Sequence, residues 1–169
     1  MRGRQQLSWA GTPSLPLREA RFEDVPLVLR LIEGAIDHAC RDHYDSEQRR
    51  AVFLGYATNL FVDALRPFVT LVAELDGRLA AFAQLDVAAA ALRALFVDPA
   101  LQGRGLGRAL LAAVEARARA AGCPRIRGAM SLNAVPFYER AGFRSADGPA
   151  RLYGAGVRVP VAWMEKPLG

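Results

Sequence analysis

Lysine is almost absent from this chain: 21 of its 22 basic residues are arginines, and Lys166 is the single exception. A face that binds nucleic acid clusters its basic residues and interleaves them with aromatic stacking platforms. Here the arginines are scattered, so the formal charge of +5 reads as a compositional bias and no nucleic-acid partner is expected. Cysteine is as scarce. Cys40 and Cys123 cannot form a disulfide framework, which favours a reduced, cytoplasmic setting. No apolar run reaches the roughly 18 residues of a membrane span, so a soluble protein with no membrane partner is expected. Two phosphate-loop signatures are also missing. G-x-x-x-x-G-K-[ST] occurs nowhere, and Gly103 and Gly105 meet Arg108 where G-x-G-x-x-G needs its third glycine. His38, Cys40 and His43 are close in sequence, but on a helix positions 38 and 40 point about 200° apart, so no metal site is expected.

What is present suits one domain. Residues 1–16, MRGRQQLSWAGTPSLP, lack the apolar centre of a secretory signal and are expected to be a flexible extension, with the domain spanning 17–169. LREARF predicts a first strand. Glu23 and Asp24 ahead of Pro26 predict a helix start, and a second helix begins at Ser46 as N-cap and runs towards Arg66, ended by Pro67. FVTLVAEL and RLAAFAQLDV, joined by Asp76-Gly77, form a hairpin, and ALRALFV adds a third antiparallel strand. A helix from Gly105 to Ala121 carries Leu106, Leu110, Val114 and Ala118 on one stripe. RIRGAMSL then predicts a strand parallel to ALRALFV, because a strand–helix–strand crossover favours that arrangement. NAVPFYERA reads as a short helix capped by Asn133 and ended by Gly142, and RLYGAGVRVPVAWMEKPL supplies one or two last strands. The fold class is therefore α/β: a mixed, mostly antiparallel sheet flanked by about four helices.

One stretch stands apart. LFVDPALQGRGLGRALL passes from a strand through Asp98-Pro99 into alternating glycines and then into an amphipathic helix. A helix N-terminus exposes unpaired N–H groups at the positive end of its dipole, and glycines let an anion approach them. Gly103, Gly105 and Gly107, with Arg104 and Arg108 beside them, fit such a site; a plain strand-to-helix turn fits the glycines equally well.

The combination of motifs resembles the GNAT superfamily of N-acetyltransferases. Its Q/R-x-x-G-x-G/A signature after a V-x-P strand end is matched by Val97-Asp98-Pro99 and by Gln102, Gly105 and Gly107. Its N-A-x-x-F-Y-x-x-x-G-F helix is matched by Asn133, Ala134, Phe137, Tyr138, Gly142 and Phe143. The resemblance implies acetyl-CoA as cosubstrate, its pyrophosphate held across Gln102, Gly103, Arg104, Gly105, Leu106, Gly107 and Arg108, and a parallel strand pair that splays to admit the pantetheine arm along Phe96 and Val97. It places Asn133 beside the cofactor. It also implies direct attack of a primary amine on the thioester, with the Phe96 N–H polarising the carbonyl and Tyr138 as general acid; packing beside Phe137 is the other account of Tyr138. The acceptor is a small molecule or an amino-acid-like amine. A protein N-terminus or lysine, or an acyl-CoA-binding regulatory role without turnover, are the alternatives.

No general base is assigned. Glu74 and Asp86 are the acidic residues on the predicted meander, each equally well explained as a solvated position. The first two helices of the family usually wall the acceptor side, which makes His43, Tyr44 and Phe53 pocket candidates beside ordinary helix packing. Oligomeric state is open, a homodimer included.

Overall fold

In the computed structural model, residues 16–62, 67–153 and 156–169 are described, with the side chains of residues 60–62 left aside. The expected extension up to residue 15 and the end of the second helix, at 63–66, fall outside them. Strands β1 (Leu17–Glu19), β2 (Val69–Leu75), β3 (Arg78–Asp86) and β4 (Ala91–Val97) form an antiparallel meander. Asp76 and Gly77 both take positive φ, 51° and 72°, the pattern of a type I′ turn whose twist matches the strands it joins. β5 (Arg125–Met130) is parallel to β4, as the crossover through α3 (Leu106–Ala120) demands.

The tail departs from the expected one or two strands. β6 (Arg144–Ser145) and β9 (Ala162–Pro167) join the main sheet, whose order is β1-β2-β3-β4-β5-β9-β6, while β7 (Arg151–Tyr153) and β8 (Val157–Val159) form a separate hairpin. Helix α1 (Val25–Ala39), α2 (Ser46–Val62) and this hairpin lie over one sheet face; α3 covers the other. Two apolar layers result. Leu106, Leu110 and Val114 pack with Ala81, Ala83 and Ile126 on the α3 side, and Val28, Ile32 and Ile36 pack with Val72 and Phe82 on the α1 side. β3 is buried through most of its length because both layers rest on it.

Two expected caps move. Asp45, not Ser46, caps α2: its carboxylate accepts from Gln48 N–H at 2.8 Å while the Gln48 side chain accepts from Asp45 N–H at 3.1 Å, a reciprocal capping box. Asn133 lies inside a single 3-10 turn, Leu132–Ala134, that leads into α4 (Val135–Arg140), so it caps nothing. The lone lysine has a structural post: Lys166 Nζ on β9 meets the buried Glu115 of α3 at 2.7 Å, tying the last strand to the covering helix. Among the described residues no helix is long and apolar enough to cross a membrane.

Candidate functional site

β4 and β5 touch only at the start of their course. Ala91 pairs with Arg127, Arg127 N–H donates to Ala90 O at 3.0 Å, and no further pair follows. Two local features produce the parting. A register shift against β3 leaves Arg93 opposite no partner, a bulge that bends and twists β4. At Gly128 of β5 a Cβ would stand 2.7 Å from Leu92 O, so the strands approach there only because that residue is glycine. β5 is meanwhile held away by β9, which pairs with it along its whole length. The edge of β4 towards Val97 therefore stays open.

Which main-chain groups face that opening follows from the ladder. Asp98 N–H donates to Ala80 O at 2.8 Å, and the pairs Val97↔Ala81, Phe96↔Phe82 and Leu95↔Ala83 continue in the same register. Exchanged and non-exchanged pairs alternate in an antiparallel ladder, so Phe96 bonds Phe82 and the amides of Leu95 and Val97 turn outward. This corrects the expectation for Phe96, whose N–H is used within the sheet.

The opening is a cleft of about 760 Å³. Its walls include Phe96, Val97, Gln102, Gly103, Gly105, Leu106, Gly107, Arg108, Asn133 and Tyr138, gathering nearly every residue that the sequence singled out. Arg104 is exposed and does not line it. Asp98 caps the turn Pro99–Leu101 by accepting from Ala100 N–H at 2.9 Å, which aims the chain at α3. Gly105 stands at the N-cap with φ 79° and no side-chain cap, and the first turn closes only when Ala109 N–H reaches Gly105 O at 3.0 Å. The amides of Leu106, Gly107 and Arg108 have no helical partner and point towards the cleft end. The glycines serve different needs. Gly103 and Gly105 have open space around them but left-handed φ, whereas a Cβ on Gly107 would meet the Phe137 ring at 3.4 Å.

Sequence reasoning did not find His38 and Arg140, which also reach the cleft. They come from the end of α1 and the end of α4, and only the tertiary fold brings them together. Asn133 Oδ1 accepts from Cys40 Sγ at 3.3 Å, across the cleft floor. Tyr138 is buried, edge-on to Phe137 and Phe143 with centroids 5.0 and 5.3 Å away, and desolvation alone raises its pKa well above the ordinary phenol value.

Behind Tyr138 a void of about 60 Å³ passes between the parted strands. It shares Leu95, Phe96, Cys40 and Tyr138 with the cleft, and Tyr56, Arg93, Ala129 and Tyr153 with a third cavity of about 430 Å³ on the α2 side. That chamber lies over the opposite face of the sheet, between α2, the β7–β8 hairpin and Trp163. Of the pocket candidates, Tyr44 lines the void: its hydroxyl donates to Pro160 O at 2.8 Å and accepts from Leu132 N–H at 2.9 Å, bracing the chain that leaves β5. His43 and Phe53 line none of the three. Tyr56 donates to Arg93 O at 3.1 Å and sets its ring edge-on to Phe96 at 5.1 Å. Burial pushes the Cys40 thiol up to about 11, so it stays protonated.

Neither base candidate reaches the passage. Glu74 receives Arg18 at 2.6 Å within a network that also holds Asp24 below the usual carboxylate range through its hydrogen bonds from Arg18. Asp86 caps its own turn, accepting from Ala89 N–H at 3.0 Å. Among the described residues no Asp or Glu lines the cleft, the void or the chamber.

Comparison with known proteins agrees with this geometry. The family described as "Acetyltransferase (GNAT) family" matches residues 32–143. A GCN5-related N-acetyltransferase from Rhodopseudomonas palustris superposes with a TM-score of 0.84 at 25% identity, over 95% of this chain and 99% of that one. The PaiA N-acetyltransferase of Thermoplasma acidophilum, solved in complex with coenzyme A, superposes with a TM-score of 0.73 at 18% identity, over 92% and 99%. Glucosamine 6-phosphate N-acetyltransferase of Trypanosoma brucei brucei is 39% identical over 56 residues, 33% of this chain and 38% of that relative's length.

Proposed function

The chain belongs to the GNAT family of acetyltransferases, and on that premise we propose that it transfers an acetyl group from acetyl-CoA to a primary amine on a small acceptor. The observation that carries the reading is the open edge of β4 running directly into the uncapped N-terminus of α3. The pyrophosphate meets the amides of the Gly105–Arg108 turn, where each charge-assisted hydrogen bond contributes about 1.5–3 kcal/mol. Arg108 and Arg140 stand close by to balance its charge. The pantetheine arm pairs with Val97, nearer the loop, and the thioester carbonyl receives the deeper Leu95 N–H as negative charge develops on it. Coenzyme A bound to the Thermoplasma protein supports the cosubstrate, and the amino sugar phosphate in the name of the trypanosomal relative supports a small amine as acceptor.

The amine enters from the α2-side chamber and attacks through the void, forming the C–N bond as the C–S bond breaks. Tyr138, at the junction, gives its proton to the departing sulfur. A phenol with a raised pKa is a weak acid against a thiol in water, but the same dryness raises the thiol too. Burial raises the Cys40 thiol on the same wall, and it likewise makes a thiolate developing there a stronger base than in water, which favours proton transfer from Tyr138 as the C–S bond breaks. With no carboxylate at hand, the amine loses its proton to water in the chamber.

Release of free thiol from acetyl-CoA with a panel of amines tests the reading, with calorimetric titration of coenzyme A alongside. Turnover per unit of enzyme rises between about pH 6 and 9 when chemistry limits the rate, because the attacking form is the neutral amine. Binding of coenzyme A without thiol release from any amine would leave an acyl-CoA-binding protein in place of an enzyme.

A further inference from the structure

The α2-side chamber has a sign. Two side chains bring full charge to its wall, Arg93 from the β4 bulge and Arg151 from β7, and among the described residues no carboxylate lines it. Neither guanidinium is consumed by a close ion pair. Arg93 lies 4.0 Å from Asp86, its Nε is buried with no hydrogen-bond partner, and its Cζ rests 4.2 Å from the Phe68 ring centroid. Arg151 stands 5.4 Å from the Tyr153 ring centroid. A guanidinium held over a ring by cation–π attraction keeps its N–H groups available to a carboxylate or phosphate.

The other walls are neutral. Thr58, Asn59 and Gln84 offer hydrogen bonds, and Leu92 and Trp163 close the apolar floor. A chamber of this kind repels a polyamine or a lysine-rich peptide and draws in a small molecule that carries an anion.

We infer that the acceptor is a small primary amine bearing an oxyanion group, a carboxylate or a phosphate, with Arg93 and Arg151 as its anion-binding residues. This rests on the transferase reading above. The two arginines hold the anionic end in the chamber while the amine extends into the void towards Tyr138. Their field also lowers the proton affinity of that amine, which favours the attacking form where no basic side chain is present.

Matched pairs separate the anion from the amine: β-alanine against β-alaninamide, O-phosphoethanolamine against ethanolamine, and glucosamine 6-phosphate against glucosamine. The first pair reports a carboxylate and the others a phosphate. In thiol release with acetyl-CoA, the anionic member of at least one pair leads by about tenfold or more in kcat/KM. Arg93→Gln and Arg151→Gln each cut that lead to about threefold or less through KM for the acceptor, while the affinity for coenzyme A stays within about twofold. Arg93→Lys retains part of the lead. Arg151 lies on the outer hairpin, so its variant keeps the test alive if the Arg93 variants unfold. Neutral members that match or exceed the anionic ones in every pair overturn the inference. If coenzyme A binds but no amine is turned over, the transferase reading fails separately, and calorimetric titration of O-phosphoethanolamine into the coenzyme A-saturated protein decides the chamber. Heat that vanishes in both glutamine variants supports an anion site, and no heat in the wild type overturns it.

Discussion

The two sides of the parted strands are built on different plans. On the α3 side the donors are main chain, the outward amides of β4 and the first turn of α3, contributed by one continuous segment from Leu95 to Arg108, with side chains of α1 and α4 closing the cleft opposite them. On the α2 side the wall is side chains, brought from Leu54 to Trp163 by α2, four neighbouring strands and a hairpin. A backbone wall tolerates change in most of its side chains because its donors do not depend on them. A side-chain wall changes specificity with almost any substitution. The first plan suits a cosubstrate shared by a whole family and the second an acceptor particular to one member.

The largest expected effect lies where the two walls meet. Tyr138→Phe keeps the ring and its edge-on contacts, so melting temperature and coenzyme A affinity change little, while the chemical step slows by about 10²–10⁴. Single-turnover thiol release reads this directly. A wild-type rate would leave Tyr138 as packing alone, and a collapse of coenzyme A affinity would assign its hydroxyl to the cofactor wall.

An intermediate effect is expected on the side-chain wall. Gly55 sits inside α2, and a Cβ there would come within 2.7 Å of Tyr153 Cδ1. Gly55→Ala displaces the Tyr153 ring into the chamber and raises the acceptor KM about tenfold, without touching coenzyme A affinity. Helix propensity returns about 1 kcal/mol against the crowding, so the melting temperature moves little and the kinetic change stands clear of unfolding. Equal loss on both substrates would break the comparison.

The smallest effect is expected on the main-chain wall. Gln102→Ala removes an exposed side chain from the loop but none of its amides, and coenzyme A affinity falls by about twofold or less in calorimetry. A loss beyond about tenfold would show that the signature glutamine binds through its side chain and that the two walls are less different than their construction suggests.

The same division explains what could be read in the sequence. The hairpin at Asp76-Gly77, α3 and the glycine-rich turn that leads into it each depend on residues within a few positions of one another, and each forms where local chemistry places it. Caps fared less well, because Asp45 and Ser46 are equally good cap residues and only the reciprocal bond from Gln48 decides between them. The outward amide was misplaced by one residue. Phe96 against Leu95 is a question of ladder phase, set by where Asp98 meets Ala80. Arg93 and Arg151 were invisible as a pair, since scattered arginines acquire meaning only when β4 and β7 border one cavity.

β9 is synthesised after β6, β7 and β8, yet it takes its place between β5 and β6. On the ribosome the meander and α3 can assemble as they emerge. β5 must wait, attached to β4 at one pair only and bare along its other edge, until residues 162–167 arrive to cover it. Through that interval the nascent chain displays an unpaired strand, and its risk of pairing with a neighbour lasts until β9 has emerged.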